Sequence, residues 1–530
     1  METLAPFATV RAPNGMVCTI DGAASQAGLA MLEAGGTAAD AAVAASAVLG
    51  VTSPHACGMG GDLFAVVHPG PGRSPEALNA SGRAGSGADP DRLRAEGFTA
   101  MPFRGDIRAV PVPGCVDGWI ALHGRHGRLP LAQVLEPARR YAVDGFCISA
   151  GLLGSLALVR SDPEAADFEG ANRVGQLVRR PGLGRALAAV AAEGRNGFYL
   201  GEFGDNLLAL GAGEYEPDDL STPLADWVAA LDAPAWGHRF WTVPPNSQGY
   251  LTLAGAVIAS GLDLPTDPDD PEWAHLLIEA ARQAGWDRGD VLFEGAVGDD
   301  LVAEARLAPR RAAIDPRHTT AIAGEAPPRA GGTIGLTVVD RDRMGVSLLQ
   351  SNAAGFGSHL IVPGVRVFLQ NRGIGFSLIR GHAAEYAPRR RPPHTLSPLL
   401  VTDESGTVLT AVAATMGGDS QPQILLQLAA RLLTNQQSPG PAMAAGRFAL
   451  APRREGTGFD TWSQRGHVRV LIEGQAPKAW DTGLSARGHD VVRLPEFDSA
   501  FGHAHLIAAR DDHLAGAADP RPRTASAAAY

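Results

Sequence analysis

The chain has 530 residues, 45 basic against 56 acidic, for a formal net charge of −11, and 45% of it is hydrophobic. That apolar share excludes bulk disorder, and an acidic chain with no basic block is ill suited to nucleic acid or an anionic membrane surface, which select clustered Lys and Arg. Lysine occurs once, at Lys478, in a Gly-Gln-Ala-Pro-Lys context that fits no P-loop, Schiff-base enzyme or Ser–Lys hydrolase.

At about 150 residues per domain the length would make three or four domains, although large α/β folds hold this much chain in one body. Met1 to Pro6 show no basic stretch followed by an apolar run, so no secretory signal is expected and the expected location is cytoplasmic. Gly35-Gly36 closes a first helix. Thr37-Ala38-Ala39-Asp40 opens a second, whose apolar run from Ala41 to Val51 is too short to span a membrane and predicts a buried helix. A Gly-rich elbow, Pro54 to Asp62, leads into a strand over 63–67; it has neither the spacing nor the strand-loop-helix order of a dinucleotide fingerprint. Residues 115–235 read as mostly helical, with apolar periodicity over 119–122 and 187–192. Pro244 to Gly249 is a rigid turn ahead of a helix over 251–260. From Ala308 to Gly332 a composition of Arg, Pro, Ala and Gly predicts an exposed connection. Strands over 334–339 and 346–349, joined by the polar turn Asp340 to Arg343, then predict a β-hairpin. Arg389-Arg390-Arg391 reads as a solvated loop and 524–530 as a loose tail. Cys18, Cys57, Cys115 and Cys147 have no metal-binding spacing and are expected as buried reduced thiols. The 15 histidines are scattered, and His503 and His505 read as surface or hydrogen-bonded core groups, so no metal is expected.

The hairpin holds the chemistry. A turn centred on Asp342 places Thr333, nine residues before it, opposite Ser351, nine after, with Cβ atoms about 5 Å apart. Gly331-Gly332 ahead of Thr333 permits a backbone geometry in which the hydroxyl attacks the Gly332 carbonyl. Hydrolysis of the resulting ester would free the Thr333 α-amine, whose ordinary pKa of about 7.7–8.0 makes it a usable base beside its own hydroxyl. Ordinary cross-strand packing of Thr against Ser is the other reading of the spacing.

Thr333 to Asp340, Val346 to Asn352 and Gly355 to Ser358 resemble the start of the small subunit of γ-glutamyltransferases and their amidohydrolase relatives. Gly35 to Ala42, Pro54-His55 with Gly58 to Gly61, Val112 to Gly114, Pro244 to Ser247, Leu396 to Pro398, Met416 to Gly418 and Gly516 to Arg521 resemble further family blocks, in family order. The resemblance implies an α+β fold, the four-layer αββα sandwich of N-terminal-nucleophile hydrolases. It also implies self-cleavage between Gly332 and Thr333 into interlocked large (1–332) and small (333–530) subunits, with Thr333 as nucleophile, Ser351 as its assistant, and Gly417 and Gly418 as the oxyanion hole.

The departures bear on substrate. By resemblance, γ-glutamyl enzymes hold the α-carboxylate with an Arg and a serine pair and the α-amine with acidic residues; those positions hold Ser81, His394-Thr395 and Ile374-Gly375 here. A buried ammonium without a carboxylate costs several kcal/mol, which argues against glutathione. Ser81 to Ala84 and Gln370 to Ser377 instead resemble the amidohydrolase branch. Arg83 and Arg372 are candidate carboxylate clamps, and Asn352, His394, Thr395, Asp419 and Gln421 are candidate pocket residues. The expected protein is a self-cleaving amidohydrolase or acyltransferase that acts on a small carboxylated amide through an acyl-Thr333 ester, with water or an amine as acceptor. It would need no metal or organic cofactor and no nucleic-acid or membrane partner, and its two fragments would form a heterodimer. A true γ-glutamyltransferase with a rebuilt pocket and an uncleaved scaffold protein are the alternatives.

Overall fold

Strand segments with side chains alternating between two apolar faces build two seven-stranded sheets, every neighbouring pair antiparallel. The computed structural model describes residues 8–321, 332–452, 461–464 and 468–530. From edge to edge the first sheet runs Ser526–Ala529, Met16–Thr19, Gly332–Val339, Gly345–Ala353, Asp62–His68, Glu76–Ala80 and Asp226–Ala229. The second runs Val10–Ala12, Leu514–Ala518, Ala504–Ala509, Leu409–Thr415, Leu399–Asp403, His238–Thr242 and Leu231–Ala235. Each sheet therefore combines strands from before and after the Gly332–Thr333 bond, and neither part builds a whole sheet alone.

The period of two distributes the core. Phe64, Val66 and Leu349 of the first sheet share one apolar cluster with Trp241, Leu400, Val412 and Ile507 of the second. Their neighbours Leu63, Val67 and Leu348 turn the other way, onto helix Ala38–Thr52 and its surroundings. Leu399, Val401, Ala411 and Ala413 likewise turn away, onto helices Tyr250–Ser260, Pro271–Gly285 and Gln421–Leu433. Helix Ala38–Thr52 is buried along its whole length, as its Ala-rich sequence predicts, and Thr37 and Asp40 form a capping box at its start. No helix among the described residues is long and apolar enough to cross a membrane.

Several expectations need correction. The stretch read as helical to residue 235 ends in two strands, Asp226–Ala229 and Leu231–Ala235. Ala308 to Ala312 belong to helix Glu304–Ala312, while residues 322–331 of the expected connection lie outside the described residues. The expected loose tail supplies the edge strand Ser526–Ala529, whose backbone satisfies the open side of Met16–Thr19. Arg391 is buried and paired with Asp226, leaving Arg389 as the exposed member of the triplet. Cys18, Cys57 and Cys115 are buried and free, but Cys147 is exposed.

Candidate active site

From Val339 opposite Gly345 back to Ile334 opposite Gln350, the hairpin keeps the register centred on Asp342. Beyond Ile334 it slips, because Gly332 pairs with Ala353, so Ser351 and Asn352 together oppose Thr333 in a bulge. Thr333 and Ser351 are both buried, with Oγ1 and Oγ 3.1 Å apart. The bulge also turns Ser351 Oγ toward its own strand, where it accepts from Ala353 N–H at 2.8 Å. The Gly-rich elbow packs on the same spot: a Cβ at Gly61 would stand 2.3 Å from the Ser351 carbonyl oxygen, so only glycine allows this approach.

Ser351 leads to the rest of the site. Arg372 Nη2 donates to Ser351 Oγ at 3.1 Å, and its Nη1 donates to Thr395 Oγ1 at 3.0 Å. Arg372 is 1% exposed, and burial pushes its guanidinium down to about 10, still cationic at neutral pH. Gln248 Nε2 then donates to the Thr395 and Gly418 carbonyls, each at 2.9 Å. Gly417 and Gly418 take φ of +144° and +57°, and a Cβ at Gly417 would lie 2.6 Å from Ser420 Oγ, so glycine is required where the chain turns into helix Gln421–Leu433. The preceding strand packs on the Thr333 strand, since a Cβ at Gly335 would lie 3.0 Å from Ala414 Cβ.

Asp62, directly across from Ser351, sits beneath this group. Its Oδ1 accepts from Gly82 N–H and Gln370 Nε2, each at 2.8 Å, and its Oδ2 accepts from His394 Nε2 at 3.1 Å. Burial, with Arg372 adding to it, pushes His394 down to about 3, so the ring is neutral and its Nδ1 accepts the Leu396 N–H at 3.2 Å.

The expected residues divide accordingly. Thr333, Ser351, Arg372 and Thr395 form one hydrogen-bonded run, joined through Gln248 to Gly418, and His394 borders it. Asn352 anchors the elbow through Nδ2 to the Pro54 carbonyl at 3.2 Å. Asp419 is buried, accepts the Thr461 N–H at 3.2 Å and faces Arg288 at 3.6 Å. Gln421 Oε1 accepts the Ser397 N–H at 3.1 Å. Arg83 points elsewhere: its side chain is 29% exposed and meets Glu294 at 2.6 Å and Asp226 at 3.8 Å. Asp62, Gln248 and Arg288 were not anticipated; Asp62 and Gln248 lie in the Gly-rich and Pro-rich turns, read there only as structure. Two histidine expectations change. His505 is buried with no hydrogen bond to either ring nitrogen among the described residues. His275 and Glu279, one turn apart on helix Pro271–Gly285, meet the distant His489 in the core, with His275 Nδ1 2.7 Å from His489 Nε2 and Glu279 paired with Arg282.

A Gamma-glutamyltranspeptidase family model matches residues 24–529. The chain belongs to this family. Among its relatives, the "Glutathione hydrolase-like YwrD proenzyme" of Bacillus subtilis is 33% identical over 94% of the chain and 95% of the relative. The "Oxamate amidohydrolase proenzyme" of Klebsiella pneumoniae is 32% identical over 97% and 98%. The crystal structure of cephalosporin acylase from Bacillus halodurans superimposes with a TM-score of 0.88 at 29% identity, covering 100% of the chain and 98% of the acylase. The protein is thus an enzyme of a family of hydrolases and acyltransferases, with a mixed helix and sheet fold.

Proposed function

We propose that the protein is a self-cleaving N-terminal-threonine amidohydrolase that acts on a small amide carrying a carboxylate close to the scissile carbonyl. The two sheets with helices on their outer faces are read as the four-layer αββα sandwich. Cleavage before Thr333 yields residues 1–332 and 333–530 as a heterodimer, a reading supported by the proenzyme names of the relatives.

In the cleaved enzyme the Thr333 α-amine takes the hydroxyl proton as Oγ1 attacks the amide carbonyl. Backbone N–H groups at Gly417 and Gly418 receive the oxyanion. The ammonium returns its proton to the leaving amine, and water, deprotonated by the same amine, hydrolyses the acyl ester and releases the acid. Ser351 orients the Thr333 hydroxyl.

The observation that carries the substrate class is Arg372, a buried cation two hydrogen-bond lengths from Thr333 Oγ1 through Ser351. Its planar fork suits a carboxylate, which at that range must lie within a bond or two of the attacked carbonyl. Oxamate, named in one relative, has that form. The carboxylates nearby are engaged, Asp62 with Gly82, Gln370 and His394, and Asp419 with Thr461 and Arg288. To pair with either of them, a γ-glutamyl α-ammonium would have to displace one of these partners.

The test is the denatured intact mass of wild type and Thr333→Ala, with turnover of oxamate, malonamate, succinamate and γ-glutamyl-p-nitroanilide. Two wild-type fragments split before Thr333, a whole variant and turnover of a short amic acid over the γ-glutamyl amide are expected. A wild-type chain that stays whole, or preference for the γ-glutamyl amide, overturns the proposal.

A further inference from the structure

Asp62 is a carboxylate that the proposed reaction does not use, yet it is wholly buried across the strands from Ser351. A buried charge is costly unless hydrogen bonds and an opposite charge offset its desolvation. The donors it has gathered are informative. Gly82 precedes Arg83, Gln370 lies two residues before Arg372, and His394 precedes Thr395, so one carboxylate joins three turns remote in sequence. The Gly114 N–H approaches the same Oδ1 at 3.4 Å. Its hold on His394 reaches further. With the Nε2 proton directed to Asp62, Nδ1 is left to accept the Leu396 N–H, fixing the turn that carries Thr395 Oγ1 to Arg372. Asp62 also leads the charges that favour the buried Arg372 guanidinium.

We propose that Asp62 is a positioning residue for recognition of the substrate carboxylate: by tying the Gln370 and His394 turns to the Ser351 strand, it aims Arg372 and Thr395 at one point beside Thr333. The inference rests on the reading that Arg372 receives that carboxylate. Its sign separates it from simple charge repulsion. A negative group close to an anionic substrate weakens binding by charge alone, so neutralising Asp62 would then lower KM. Neutralising a positioning group raises KM instead.

The experiment measures kcat and KM of the self-cleaved enzyme on the preferred short amic acid for wild type, Asp62→Asn, Arg372→Ala and the double variant. Intact mass first establishes that each chain is cleaved, and a cooperative melting curve that it is folded. Asp62→Asn is expected to raise KM at least tenfold with kcat within about threefold, and to add less than twofold in the Arg372→Ala background, because it acts through that arginine. If Asp62→Asn gives no soluble protein, Gln370→Leu, which removes only one of the tied turns, is expected to raise KM three- to tenfold with the same non-additivity. An unchanged or lower KM, or effects that multiply in the double variant, overturn the inference while leaving the Thr333 reading intact. An unchanged KM in Arg372→Ala, or no turnover by wild type, overturns the reading and the inference together.

Discussion

The two halves of the site are built differently. Thr333 and Ser351 lie 18 residues apart on one hairpin, and a strand register with a single bulge brings their hydroxyls to 3.1 Å. The arginine half collects Asp62, Gln248, Arg372 and Thr395 from four separate segments; strand pairing places Asp62, and side-chain hydrogen bonds join the other three. The proposed bond-making end is thus specified locally and the proposed substrate-reading end largely by tertiary assembly. The reading end can therefore change residue by residue without disturbing the nucleophile, as a family that pairs one fold with several substrate names requires.

The largest effect that would test this division comes from Gly417→Ala. The new Cβ would lie 2.6 Å from Ser420 Oγ on a backbone at φ +144°, displacing the N–H groups proposed to meet the oxyanion. A loss of about 3 kcal/mol in transition-state stabilisation, roughly 100-fold in kcat, is expected with KM little changed. A rise in KM with kcat intact would place this loop on the reading side.

Next comes Arg372→Ala, which removes a buried charge-assisted contact. KM is expected to rise by about 10- to 100-fold, with partial recovery in Arg372→Lys, which restores charge but not the fork. Arg83→Ala sharpens the contrast. With its guanidinium held by Glu294 and Asp226 at a partly exposed site, the expected change in KM is under about threefold. Equal effects from the two arginines would mean that Arg83 turns into the site when substrate binds.

The same division explains what the sequence disclosed. The Thr333–Ser351 pairing follows from a turn centre and a two-residue period, both readable along one stretch of chain, and only the bulge escapes that arithmetic. Helix Ala38–Thr52 is legible for a similar reason, since its cap and its apolar run are local. Arg83 and Arg372 look equivalent as sequence, because each follows a small polar turn. What separates them is the distant residue each meets, Glu294 in one case and Ser351 with Thr395 in the other. Asp62 was hidden differently: the glycines before it account for the elbow, so nothing local asks for a carboxylate. Ser526–Ala529 reads as a tail in sequence because an edge strand of small residues carries no apolar alternation of its own.

A last contrast separates the halves by titration. On the proposed mechanism the Thr333 α-amine released by cleavage, with an ordinary pKa of about 7.7–8.0, must be unprotonated to act as a base, so kcat/KM should rise with pH through that range. His394, pushed down to about 3, stays neutral there and should add no second limb between pH 5 and 7. It acts on stability instead. An unfolded chain protonates this histidine below about 6.5, whereas the folded one resists until about 3, so the unfolded state binds more protons in between and stability falls as the solution is acidified. Buried His505, also pushed to about 3, adds in the same direction. Each contributes up to about 1.4 kcal/mol per pH unit across that window. Melting temperatures of wild type and His505→Leu at pH 7.5 and 5 should show a shallower acid loss in the variant, with its kcat/KM profile unchanged. A variant that moved the activity limb while leaving the acid slope alone would join the second-sheet strand to the chemistry and break the division.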